Sequence, residues 1–328
     1  MLDDLGYALQ VALIYYTIIY LTGVGGLFSE RSGIVNIGLE GMMIIGTVTG
    51  SFGAYYFGSQ PTAACPGCMG WPDPWGPAMG LLIGLAAGAA FAAIHALATV
   101  TFRVDHIVSG VVINLAAIGV ARFLSSVFFG QATQSDPGQP KMDLITVPLL
   151  SDIPGIGRAV TGISPFVIVA LLAVIPIWFV LYRLRWGLRL RSTGENPEAT
   201  RSLGVRVAPL RWEAVLLSGA LAGLAGAFLS VEATGQWREG QTQGLGFIAL
   251  AALILSNWSP IRLMGAAFLF GFAQAIPLTL YNWPVIRDIP EQFLNMVPYV
   301  VTIVVLAGFV GKVRPPAAAG KAYEGGGG

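Results

Sequence analysis

Charge is what this sequence has least of. Among its 328 residues, 18 are Lys or Arg and 17 are Asp or Glu, so 11% are charged against 55% hydrophobic. A soluble domain is about one-quarter charged, because polar groups must cover its surface. This chain could not cover itself in water, and lipid is expected to cover most of it. The net charge of +1 excludes a strongly basic nucleic-acid binder, and there is no basic aromatic patch. His and Cys number two each, which leaves little for metal clusters or catalysis, and no metal site is expected. A Gly-rich phosphate loop followed by Lys-Ser/Thr is also missing, so the chain is not expected to hydrolyse nucleotide. No nucleophile–base pair stands out as an enzyme's site. Asp3 and Asp4 stand where a cleavable signal peptide would carry basic residues, so none is expected.

Long apolar runs are what the sequence has instead. A bilayer core about 30 Å thick needs roughly 20 helical residues. On that measure candidate spans lie near 5–28, 34–57, 78–101, 107–129, 163–182, 213–233, 246–257, 262–281 and 293–311. The expected fold is an all-α, polytopic membrane bundle of about nine crossings, eight to ten being allowed. The seventh run is short for a span and is expected to be broken or part of a bent helix. Orientation follows the basic residues. The stretch 183–211 holds Arg183, Arg185, Arg189, Arg191, Arg201, Arg206 and Arg211, and is expected to face the cytoplasm. Alternation then puts Arg31, Arg103, Arg262, Lys312, Arg314 and Lys321 inside as well. Lys141, Arg158, Arg238 and Arg287 fall outside, with Arg122 within a span. The N-terminus is thus expected outside and the C-terminus inside.

Two stretches interrupt the apolar pattern. Thr22–Gly41 brings Gly, Ser, Asn36 and the carboxylates Glu30 and Glu40 to the edge of the second run, and Thr234–Gly246 precedes the seventh run in a similar way. Irregular backbone at membrane depth is tolerated where it faces protein or a water-filled cavity. Paired interruptions in two halves point to an inverted repeat with a transport pathway between them. The alternative is that the glycines only pack helices closely and the Arg/Glu pairs mark membrane borders. Candidate pathway residues are Asn36, Glu40, Gln236, Trp237, Gln241 and Gln243. His95, Arg122 and Glu232 also lie within spans, where polar groups are costly; each is as readily a helix-packing partner.

In the basic stretch, Asn196 is a good N-cap, Pro197 suits the first helical position, Glu198 sits in the first turn and Gly204 is a natural stop. A two-turn helix on the cytoplasmic face follows, suited to a cleft in a soluble partner, or serving only as a solvated connector. The run Gly194-Glu-Asn-Pro-Glu-Ala-Thr-Arg-Ser-Leu-Gly204 resembles the coupling-helix segment of ABC importer permeases of the branched-chain amino acid and ribose type. The run Glu30-Arg-Ser-Gly-Ile-Val-Asn-Ile-Gly-Leu-Glu-Gly-Met-Met43 is similar to the nucleoside and simple-sugar branch, as are residues 246–260 and 271–274. The resemblance covers most of residues 10–312. It implies a permease subunit in a bacterial cytoplasmic membrane that carries a small polar solute, nucleoside first and simple sugar second. An ion-coupled secondary transporter is the alternative class, disfavoured by so few intramembrane carboxylates and histidines. The resemblance further implies separate ATPase subunits that bind ATP and Mg, with no cofactor in this chain. A second permease, forming a heterodimer, and an extracytoplasmic substrate-binding lipoprotein or protein complete the partners. Contact with the ATPase falls to Gly194, Glu195, Asn196, Pro197, Glu198, Ala199, Arg201 and Gly204.

The permease domain is expected over 1–314, with its cytoplasmic loop at 183–212 and a disordered Pro/Ala/Gly tail at 315–328. Cys65 and Cys68 lie in the outer loop between the second and third runs. They could form a disulfide, a redox pair or half a zinc site; the disulfide is preferred, since no further Cys could complete a four-sulfur site. The longer outer loop 130–162, with Pro137, Pro140, Pro148 and Pro154, is a candidate docking surface for the binding protein or a simple cap on the bundle.

Overall fold

A computed structural model describes residues 2–62, 65–146, 157–279, 283, 289–308 and 313–323. Among these residues the chain is helical, with no strand and two isolated bridges, Gln134–Arg238 and Ile145–Ile163. The helices are α1 (Leu2–Arg31), α2 (Leu39–Gly58), α3 (Trp75–Ala96), α4 (His106–Phe129), α5 (Gly157–Val160), α6 (Pro165–Leu172) and α7 (Val174–Tyr182). Then come α8 (Arg185–Glu195), α9 (Pro197–Ser202), α10 (Val207–Phe228), α11 (Leu245–Leu255), α12 (Pro260–Thr279) and α13 (Glu291–Gly308). Both α3 and α10 run on into a π-type turn, Leu97–Thr101 and Leu229–Thr234.

Among the described residues, six segments are long and apolar enough to cross a membrane: Asp4–Arg31, Trp75–Thr101, His106–Phe129, Pro165–Tyr182, Val207–Thr234 and Pro260–Thr279. The chain is a multi-pass membrane protein. The remaining runs that suggested crossings differ for identifiable reasons. Helix α2 is 20 residues long, but Gly, Ser, Thr and Tyr dilute its apolar character. It can be so because it lies inside protein, packed on α3, α10 and α4. Helix α11 has 11 residues. The ends of the last two runs, 280–281 and 309–311, lie outside the described residues, as do Pro148, Pro154, Arg287 and Lys312 of the expectations above.

Helices α1 and α10 form the centre; 78% of the most apolar stretch of each is buried. A helix that is apolar all round belongs in an interior, and α1 fits that rule with Tyr16, Ile18, Ile19, Tyr20 and Leu27 fully enclosed. The outer helices instead leave Phe123, Ile175 and Phe179 exposed, as lipid-facing surfaces do. Glycine decides how closely the centre packs. Gly46 of α2 and Gly84 and Gly88 of α3 face Gly219 and Gly223 of α10, and a Cβ at Gly223 would strike the Gly84 carbonyl and the Gly88 backbone. Small residues let membrane helices approach this closely. Gly223→Leu is therefore expected to cost about 3 kcal/mol or more, at the upper end for overpacking. An unfolding midpoint in detergent equal to wild type would refute this.

The tail departs from its expected disorder over residues 315–323, which lie against the helical body. The Ala318 N–H donates to the Gly194 carbonyl (2.8 Å) and the Gly320 N–H to the Gly33 carbonyl (3.1 Å). The Ala317 N–H reaches Glu195 Oε2 at 3.3 Å. These bonds are made by the backbone, so a Pro/Ala/Gly composition gives no sign of them. Residues 324–328 lie outside the described residues.

Candidate functional site

The first interruption begins where α1 ends. Ser29 Oγ donates to the Ile34 carbonyl (2.7 Å) and Ser32 Oγ to the Ser29 carbonyl (2.6 Å), while Gly33 takes φ +95°. Side chains from other helices hold the extended stretch that follows. Asn114 of α4 donates to the Ile37 carbonyl (3.0 Å) and accepts from the Gly41 N–H (2.7 Å). His95 sits between Ser109 Oγ (2.9 Å) and the Val35 carbonyl (3.2 Å), and the Val35 N–H reaches His106 Nδ1 at 3.3 Å. His95 thus acts as a packing partner of this irregular stretch.

Glu40 joins the two interruptions. Its carboxylate accepts the Gly244 N–H (3.0 Å) and the Gly246 N–H (2.6 Å) at the start of α11. A helix N-terminus carries unpaired N–H groups and partial positive charge, and a carboxylate satisfies both. No Cβ fits at Gly246, because Glu40 lies against it. The second interruption is anchored at its other end by Trp237. The Trp237 indole N–H donates to Thr47 Oγ1 (3.1 Å), and its backbone exchanges bonds with Ser135. Between the anchors, Arg122 of α4 pairs with Glu239 (Nε to Oε1 2.6 Å). Glu232 is used elsewhere, accepting from Ser164 Oγ (2.7 Å) and the Met142 N–H (3.0 Å).

These segments border a groove of about 480 Å³ that is open along one side, where Val111, Leu115, Ile118 and Phe247 are exposed. Ile44, Val111, Leu115, Ile118, Ala121 and Phe247 make its apolar walls, and the segment 238–243 with Glu40, Thr47 and Asn114 makes its polar part. Of the candidate pathway residues, Glu40, Trp237, Gln241 and Gln243 meet here. Asn36 does not. It is fully buried and donates to Ser218 Oγ of α10 at 2.9 Å. Gln236 is half-buried and does not line the groove. Asn114 and Phe247 were not among the candidates, although a polar Asn114 inside an apolar span is a usable signal.

The second candidate region lies beside the end of α1. Asn196 Oδ1 accepts the Ala199 N–H (3.0 Å) and caps α9, whose Thr200 Oγ1 donates back to the Asn196 carbonyl (2.8 Å). Gly194 is buried against the backbone at Arg31, where a Cβ would strike the Arg31 carbonyl. Arg31 lies 3.8 Å from Glu195. Glu198, Ala199 and Arg201 are exposed, Gly204 turns the chain with φ +80°, and Leu203 is 84% exposed. Of the arginines of this stretch, Arg211 is buried, at the start of α10.

Cys65 and Cys68 are joined by a disulfide, with Cα atoms 5.4 Å apart. Cys68→Ser is expected to leave transport intact and to lower stability by about 2 kcal/mol, the entropic value for so short a loop. Loss of transport at full folded yield would instead indicate a redox role.

Residues 9–306 match the family described as branched-chain amino acid transport system, permease component. The nucleoside ABC transporter permease protein NupC of Lactococcus lactis subsp. cremoris (strain MG1363) is 44% identical over 316 residues, 95% of this chain and 94% of that one. The guanosine ABC transporter permease protein NupQ of Bacillus subtilis (strain 168) is 39% identical over 320 residues, 97% of each chain. A second protein of that organism, the guanosine ABC transporter permease protein NupP, is 25% identical over 88% of this chain and 78% of its own. The chain belongs to this permease-component family, as a transport subunit of an ABC importer and not an enzyme.

Proposed function

We propose that this chain forms half of the membrane pathway for nucleosides in an ATP-driven importer. The observation that carries the substrate class is the groove beside Glu40, mostly apolar along α4 and polar along residues 238–243 with Glu40, Thr47 and Asn114. A nucleobase has two apolar faces and a polar rim, which suits such a slot. A hexose presents hydroxyls all round and would leave many unpaired against Ile44, Val111, Leu115 and Phe247. The names of the two relatives at 44% and 39% identity point the same way.

Glu40, Trp237, Gln241 and Gln243 line the pathway in this reading, while Asn36 and Gln236 support its walls. The permease domain runs over 1–314 and crosses the membrane about nine times as two inverted halves, N-terminus outside and C-terminus inside. The pairing of helices supports inversion: α1 packs on α12 and α11 as α10 packs on α3 and α2. Each central helix also ends near a glutamate, Glu30 or Glu232, followed by a positive-φ glycine, Gly33 or Gly235.

Helix α9 and its flanks, 194–204, couple the chain to an ATPase subunit that binds ATP and Mg; the exposed Leu203 suits a partner surface. A sister permease completes the pathway, a pairing supported by the presence of two guanosine permease proteins in one organism. A substrate-binding lipoprotein or protein delivers the solute at the outer face. ATP binding and hydrolysis shift the permease pair between outward- and inward-open states.

The test is uptake by proteoliposomes that hold both permeases, the ATPase and the binding protein. ATP-dependent uptake of labelled guanosine or adenosine, with none of glucose, is expected. Glucose uptake in place of nucleoside would overturn the substrate class. Uptake that survives without ATP but collapses with the ion gradient would overturn the energy source.

A further inference from the structure

Next to α9 a cavity of about 410 Å³ opens. Glu195, Asn196, Pro197 and Glu198 form one wall, and Ala317, Ala318, Lys321 and Tyr323 form the other. The second wall belongs to the docked C-terminal segment. The segment's backbone bonds to the Gly194 and Gly33 carbonyls tie it at once to the root of α9 and to the turn after α1. Tyr323 closes the far side, with the Arg211 guanidinium 5.5 Å from the centre of its ring.

Arg211 forms part of the lining. Its Nε donates to the Ser32 carbonyl (3.1 Å), and its Nη2 finds no acceptor among the described residues, although the side chain is 97% buried. A buried guanidinium without a full set of acceptors is costly. The Tyr323 hydroxyl in the same lining is also buried without a partner, so among the described residues the socket holds two donors that an additional oxygen acceptor would satisfy. Lys321 at the rim is exposed and adds a second positive charge.

We propose that residues 316–323 are part of the docking surface for the ATPase subunit, which inserts an oxygen-bearing side chain between this segment and α9. This rests on the reading of α9 as the coupling helix and extends it. The partner grips two strands of chain rather than one short helix. A pull on them passes through Gly194 to Arg31 and through Gly33 to the end of α1. Six helical residues alone offer little area; the added segment supplies a second wall and a cation.

The experiment uses the complete permease pair with its ATPase. Lys321→Cys is labelled with a membrane-impermeant maleimide, with and without the ATPase bound. A chain ending at Pro315 is assayed for ATPase affinity, with its folding followed by thermal unfolding in detergent. Protection of the cysteine by about tenfold or more is expected, together with about tenfold weaker ATPase binding by a truncated chain that still folds. Equal labelling in both states overturns the proposal, as does undiminished binding by the truncated chain. If the full-length pair does not bind an ATPase at all, the coupling-helix reading fails instead, and the labelling contrast cannot arise.

Discussion

Glu40→Ala is expected to abolish uptake and to lower stability by about 2–6 kcal/mol, since two buried N–H donors each lose an acceptor at about 1–3 kcal/mol. The donors are those of Gly244 and Gly246, held at 3.0 and 2.6 Å. The carboxylate also faces the positive end of α11, an interaction worth about 0.3–1 kcal/mol at exposed sites and up to about 2 when partly buried. Loss of the cap frees the start of α11 and with it one edge of the groove that Gly244 and Phe247 line. Water filling the gap would recover part of the energy but not the position of the segment. Glu40→Gln should fall between, because its amide oxygen can accept one of the two bonds while its NH2 group faces the other donor. The check is an unfolding midpoint in detergent beside initial uptake rates. Wild-type values for Glu40→Ala in both would show that the bridge between the two interruptions is dispensable.

Glu198→Lys should produce the opposite pattern, a stable protein that no longer couples. Glu198 is exposed in the first turn of α9, and exposed substitutions usually change stability by no more than about 0.5 kcal/mol. The charge reversal acts on the surface offered to the ATPase. Coupling free energies between sites are typically about 1–3 kcal/mol, or about 5- to 150-fold, so solute moved per ATP hydrolysed should fall within that range. The measurement is paired transport and phosphate release in proteoliposomes, with unfolding as a control. An unchanged ratio would remove residues 194–204 from the transmission route. Leu203→Asp tests the same surface through an apolar contact and should act in the same direction.

Much of the architecture could be read from local chemistry. The cap at Asn196, the proline after it and the glycine at 204 act within a few residues of one another, so α9 was legible before any fold was known. Asn196 does accept from Ala199, and the helix does end at Ser202. The long apolar helices were legible for the same reason: each carries its own membrane-length signal. The site was legible only in part. Glu40 and Asn36 share a polar, Gly-rich stretch and look equivalent in sequence, yet Glu40 reaches the groove while Asn36 turns to Ser218 on another helix. The difference is a direction in space, which four residues of spacing do not specify. Arg211 closes a stretch of seven arginines expected on the cytoplasmic face, and only the fold shows that it is buried at the start of α10.

The sequence by itself determined the membrane class, the helical content, the positions of the two interruptions and the capped helix between α8 and α10. These follow from composition, run length and capping, all of which act within one segment. Only the tertiary structure decided that Glu40 caps α11 across 204 residues of chain, that glycine pairs set the approach of α2, α3 and α10, and that residues 315–323 dock beside α9. Those outcomes depend on backbone N–H and C=O groups and on the absence of a Cβ. Every residue but proline has the first, every glycine the second, and only the fold selects which of them meet.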